Sequence, residues 1–223
     1  MKTLSKGILD YLIDLKQNNN REWFTVSKTR FEKEQKEIKS FFSSIKNELS
    51  EIDNIEKMQI FRIYRDVRFS KDKTPYKTHF SAGFTRQKPQ LRGGYYLHIE
   101  DNASFVGGGF WEPNKEDLLR IRKEIAIDSS ELREIINQND FKHYFGSLQG
   151  EELKTAPRDF DKNHPDIDLI RKKQFLVTRK FTNKEVLSPN FENEVIATFK
   201  AMRPFFDYMS DVLSTDLNGI SLY

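Results

Sequence analysis

Between residues 76 and 86 the chain alternates with a period of two. Tyr76, Thr78, Phe80, Ala82 and Phe84 are separated by Lys77, His79, Ser81, Gly83 and Thr85. Successive side chains of an extended strand point to opposite faces, so this segment predicts a strand with one packed and one polar face. Residues 93–100 repeat the pattern, with Tyr95, Leu97 and Ile99 against Gly94, Tyr96, His98 and Glu100. Residues 59–65 and 103–110 also read as strands, and Glu100-Asp101-Asn102-Ala103 is a hairpin link. Consecutive strands with short links imply an antiparallel meander.

The period changes to that of a helix on both sides. Leu4, Ile8, Tyr11, Leu12 and Leu15 recur at three and four residues, and Asn18-Asn19-Asn20 ends that helix. A second helix carries Trp23, Phe24, Phe31, Ile38, Phe42, Ile45 and Leu49, with a mixed-charge wet side. After Trp111, Asn114 caps a helix bearing Leu118, Leu119, Ile121 and Ile125, and a short helix follows over 130–138. Residues 141–164, rich in Gly, Pro and charge, read as loop. Phe175, Val177, Arg179 and Phe181 predict one more strand. Ser188-Pro189 opens a closing helix with Phe191, Val195, Phe199, Met202, Phe206, Met209 and Leu213 on its apolar stripe. The reading is one α+β domain over residues 1–223, an antiparallel β-meander sheet flanked by N- and C-terminal helices.

Only 37% of the residues are hydrophobic, but nineteen phenylalanines supply large buried areas, so a folded core is expected. Cysteine is absent, which excludes disulfides, thiolate metal sites and a cysteine nucleophile. Lys2, Lys6, Asp10 and Asp14 interrupt the first fifteen residues, unlike a signal peptide. No segment approaches the roughly 20 apolar residues of a membrane span. A cytoplasmic protein with no membrane partner is the expectation.

The chemistry concentrates in residues 62–77. Arg62, Arg65, Arg68, Lys71, Lys73 and Lys77 face only Asp66 and Asp72, so this block exceeds the whole chain's net charge of +3. Tyr64, Phe69 and Tyr76 are interleaved with it. Guanidinium, ammonium and hydroxyl groups together can receive an anion. The candidate ligand-binding residues are Arg62, Arg65, Arg68, Lys73, Tyr76 and Lys77, joined by Tyr96 and His98 from the neighbouring strand. The opposing reading makes Arg65-Asp66 and Arg68-Asp72 structural ion pairs that pin a long loop.

Other motifs carry less. Ser70-x-x-Lys73 matches an acylating-enzyme pattern without its partner motifs, and local turn bonding is the better reading. Gly107-Gly108-Gly109 has neither phosphate-loop nor dinucleotide spacing; it marks a bulge or a close approach. Adjacent strands can bring His79 and His98 together with Glu100 or Asp66. Lys77 beside His79 would repel a cation, and no metal ligand or cofactor is assigned. Extending the basic stretch through Arg86, Lys88 and Arg92, with nearby rings, gives a nucleic-acid alternative, although no RNA- or DNA-binding motif is present.

Several segments together resemble a family catalogued as domain of unknown function 2461, found in bacteria, fungi and plants. They are Asn19-Asn20-Arg21-Glu22-Trp23-Phe24, the sixteen residues Arg62 to Lys77, Gly94 to Ile99, Gly107 to Trp111, Leu153 to Pro157, and His164-Pro165. The resemblance brings no activity, substrate or catalytic residue with it. Three functions therefore stand: an anionic small-molecule site with or without an enzymatic step, a nucleic-acid module, or an interaction protein whose arginine block is structural.

Overall fold

The computed structural model describes residues 2–223. Among these residues, helices α1 (Lys6–Gln17), α2 (Arg21–Val26) and α3 (Lys28–Ser50) come first. Strands β1 (Ile55–Ile60), β2 (Phe80–Arg86), β3 (Gly94–Ile99) and β4 (Ser104–Phe110) follow. Next are α4 (Lys115–Ile127), α5 (Ser130–Asn137), α6 (Asn139–Phe145) and α7 (Ile167–Ile170). Strand β5 (Phe175–Phe181), the single turn α8 (Asn183–Val186) and α9 (Phe191–Ser214) complete the order. The five strands form an antiparallel sheet in the order β1-β2-β3-β4-β5, the α+β meander that the alternation predicts.

The chain forms two compact units, each assembled from three stretches of sequence. The first runs up to Phe84 and adds Tyr96–Val106 and Lys180–Ala197. Its core comes from helical stripes: Ile8, Tyr11, Leu12 and Leu15 of α1, and Ile38, Phe42, Ile45 and Leu49 of α3, are all buried. Phe31 stacks on Phe80 with ring centroids 6.2 Å apart, which docks α3 on β2. Phe41 of the same helix stacks on Phe191 at 5.6 Å. The second unit comprises Thr85–Tyr95, Gly107–Arg179 and Thr198–Tyr223. Here Tyr95 meets Phe199 and Phe206 of α9 at 4.9 and 5.0 Å. The buried Arg86 guanidinium is neutralised by Asp207 and bonded to Ser210. No helix among the described residues is long and apolar enough to cross a membrane.

Five boundaries differ from the sequence reading; the first is that α9 begins at Phe191, past the Ser188-Pro189 expected to open it. Strand β1 lies at Ile55–Ile60 rather than 59–65. It is an edge strand, and edge strands carry charge; Glu56 and Lys57 hide the alternation that would reveal it. Strand β2 starts at Phe80, four residues late, because the chain before it bulges. The second helix breaks at Ser27 into α2 and α3. Residues 139–145 form α6, which takes in the start of the expected loop, since Phe141 and Phe145, one turn apart, are both buried.

Candidate functional site

Pairing between the first two strands continues past β1. Lys77 N–H donates to the Ile63 carbonyl at 2.7 Å, and Arg65 N–H to the Pro75 carbonyl at 2.9 Å, leaving residues 66–74 as the hairpin loop. Asp72 organises this loop. It accepts from the Thr74 N–H at 2.9 Å and the Thr74 hydroxyl at 2.8 Å, and pairs with Arg65. The Thr74 N–H first, then the Arg65 guanidinium, hold its carboxyl down at about 2. Arg68 closes a two-pronged contact on Asp66, at 3.0 and 2.7 Å, which lowers the Asp66 pKa. Lys73 donates to the Val67 carbonyl at 2.9 Å.

The hairpin is clamped to the α1–α2 turn. The Asn19 carboxamide donates to the Tyr76 carbonyl at 2.9 Å and accepts from the Tyr76 N–H at 3.1 Å, as a neighbouring strand would. Phe24 stacks on the buried Tyr76 ring at 4.0 Å. Asn20 caps α2 by accepting from the Trp23 N–H at 2.9 Å. Two distant sequence segments, Asn19–Phe24 and the arginine block, thus form one structural joint. A cleft of about 410 Å³ beside it is lined by Asn19, Arg21, Glu22, Lys73, Thr74 and Pro75.

An irregularity in the hairpin creates the polar array. In an even ladder Phe61 N–H would meet the His79 carbonyl; it donates instead to Ser81, at 3.0 Å. Thr78, His79 and Phe80 fill a gap that one residue would span. Bulges of this kind re-aim side chains. Phe80 turns into the core, while both Thr78 and His79 reach the polar residues of β3. Tyr96 and His98, two apart on β3, share a face, and Glu100 follows in phase. The Tyr96 hydroxyl is 3.1 Å from His98 Nδ1, and His98 Nε2 is 2.9 Å from Glu100 Oε2. The Thr78 hydroxyl donates to Glu100 Oε1 at 2.6 Å. The His79 ring lies over His98 at 4.0 Å, and Phe105 stacks against His98 at 4.8 Å.

Burial sets the charges. It pushes His79 down to about 4, helped by His98 and Lys77 and opposed by Glu100. It lowers His98 as well, against the hydrogen bond and charge of Glu100. Burial would raise Glu100, but the bonds from Thr78 and His98 and the two imidazoles outweigh it and keep the carboxyl below its ordinary value. The array at neutral pH is two neutral imidazoles and a carboxylate. A phenol, an imidazole and a carboxylate in hydrogen-bonded series can pass a proton along the series.

The predicted residues fall in several settings and do not converge on one surface. Arg65, Arg68 and Lys73 are engaged within their own loop, and Tyr76 is a core residue. Tyr96 and His98 meet in the array, and Lys77 lies beside it, its ammonium 5.5 Å from the centre of the Phe61 ring, which is 6.1 Å from Tyr96. Arg62 is exposed at the rim and makes no ion pair among the described residues. Glu100 gathers with the histidines, whereas Asp66 does not. Thr78 was masked by its place in the apolar register of the alternation. The glycine run serves packing in the second unit: a Cβ on Gly108 would lie 2.6 Å from the Phe206 ring, and one on Gly109 2.2 Å from the Phe175 carbonyl.

A five-stranded antiparallel meander with packed helices places the chain among α+β proteins, and its polar face carries a part-buried tyrosine–histidine–glutamate array. The chain belongs to the family of conserved hypothetical proteins described as DUF2461, which matches it over residues 7–208. No curated protein and no solved structure matches it.

Proposed function

We propose that the protein binds a small phosphorylated or carboxylated molecule beside Lys77, with Arg62, Tyr96 and His98 as further contacts. The observation that carries this reading is the situation of Lys77. It is half-buried, has no carboxylate partner among the described residues, and rests on the Phe61 ring. Burial first, then the Arg62 charge, push its pKa down. A bound anion would relieve both penalties, and the Phe61–Tyr96 contact brings the phenol to the same place. If the ligand is turned over, the Tyr96–His98–Glu100 series is the group through which a proton moves.

A second reading has its own support. Arg65 and Arg68 are each closed on a carboxylate of their loop, as in an interaction protein whose arginine block is structural. Calorimetric titration with phosphate, nucleotides, sugar phosphates and dicarboxylates separates the two. The anion reading expects saturable binding of one such class, lost in Lys77→Gln and kept in Arg68→Lys. Binding should depend weakly on salt, whereas a steep dependence would transfer the case to nucleic acid. No binding by any of these ligands refutes the proposal.

A further inference from the structure

We infer that His79, His98 and Glu100 form a site for a divalent transition-metal ion, with two imidazoles and one carboxylate as protein ligands. The inference goes beyond the anion reading and does not depend on it.

Each of the three residues offers one ligating atom, and these atoms all lie within 4.8 Å of one another. The local bonds aim them. The Thr78 hydroxyl holds Glu100 Oε1, which leaves Oε2 directed at His98 Nε2, 2.9 Å away. The Tyr96 hydroxyl sits on the opposite ring nitrogen, Nδ1. Metal-bound histidines characteristically carry such a partner on the nitrogen that faces away from the ion. The His79 imidazole, stacked on His98, has no hydrogen-bond partner among the described residues. Without metal, the Tyr96 hydroxyl donates to Nδ1 and Nε2–H donates to Glu100. With metal on Nε2, the proton resides on Nδ1 and donates to the Tyr96 oxygen. The imidazole stays neutral, and the phenol only rotates its hydrogen.

Metal–ligand bonds of about 2.0–2.2 Å place tetrahedral donor atoms about 3.4 Å apart. The His98–Glu100 pair, 2.9 Å apart, must open slightly and the wider separations must close, which rotation of the Glu100 and His79 side chains would supply. Two nitrogens and one oxygen favour zinc, iron(II), cobalt or manganese over calcium and magnesium, which take oxygen sets. Three protein ligands leave coordination positions for water or a ligand, the pattern of reactive rather than purely structural centres. Lys77 opposes the cation, and an anion bound to both would offset that repulsion.

The test uses the full chain, stripped with chelator and titrated with cobalt(II) alone, read by visible absorption and by zinc(II) competition calorimetry. One ion per chain is expected. His79→Gln removes a ligand that has no structural hydrogen bond, so it should fold while binding cobalt more than about tenfold more weakly, since even outer partners cost 10–100-fold. X-ray absorption on the wild-type zinc form should show two imidazoles with oxygen ligands. No saturable cobalt binding, equal binding by folded His79→Gln, or a zinc spectrum without imidazole would each overturn the assignment.

Discussion

Asn19→Ala tests the joint that holds the arginine hairpin. The substitution removes both the donor to the Tyr76 carbonyl at 2.9 Å and the acceptor for the Tyr76 N–H at 3.1 Å. Leaving a buried backbone group unpaired costs about 1–3 kcal/mol. Both bonds are only part-buried, so the lower half of that range applies, and the two together give a loss of about 2–4 kcal/mol. For a chain of this length that is a fall in Tm of roughly 4–16 °C. Asn19→Asp keeps the acceptor but sets a carboxylate against the Tyr76 carbonyl, so a comparable loss is expected. Asn20→Ala is the internal standard: it removes only the α2 cap, worth about 1 kcal/mol. Urea and thermal unfolding followed by circular dichroism measure all three. An Asn19→Ala loss no larger than that of Asn20→Ala would refute the clamp and, with it, the reason these two segments sit together.

The His79 imidazole should titrate near 4 by NMR, against an ordinary 6.5. The unfolded chain then binds the extra proton first, so stability should fall as pH drops from 6.5 towards 4, a slope that His79→Asn makes shallower while His98, also lowered, still contributes to it. An unchanged slope in that variant would show that His79 is not the group responsible. Gly109 has φ +129° and meets the Phe175 carbonyl, so Gly109→Ala should cost roughly 3 kcal/mol or more, read from urea midpoints. Lys142, Lys162 and Lys200 are exposed, and alanine at each should change stability by no more than about 0.5 kcal/mol.

Alternation over residues 80–86 and 94–99 and the three-and-four spacing of α1, α3 and α9 determine the meander and its helices, because burial on one face forces apolar residues into that period. The Asn114 cap was equally legible, a side-chain bond local to its own helix. The basic block was legible as a charge anomaly. Which of its cations are engaged was not, since Arg65–Asp72 and Arg68–Asp66 are fixed by the turn that residues 66–74 adopt. The meeting of His79 with His98 and Glu100 was legible as polar faces of neighbouring strands, and the structure brings the three together. Tertiary structure decided the rest of the polar array: Thr78 joins it only because Phe61 pairs with Ser81 and bulges the chain between. A regular register would have kept Thr78 in the apolar row with Phe80. The bulge arises from the pairing of two strands, a non-local event that no periodicity within either strand records.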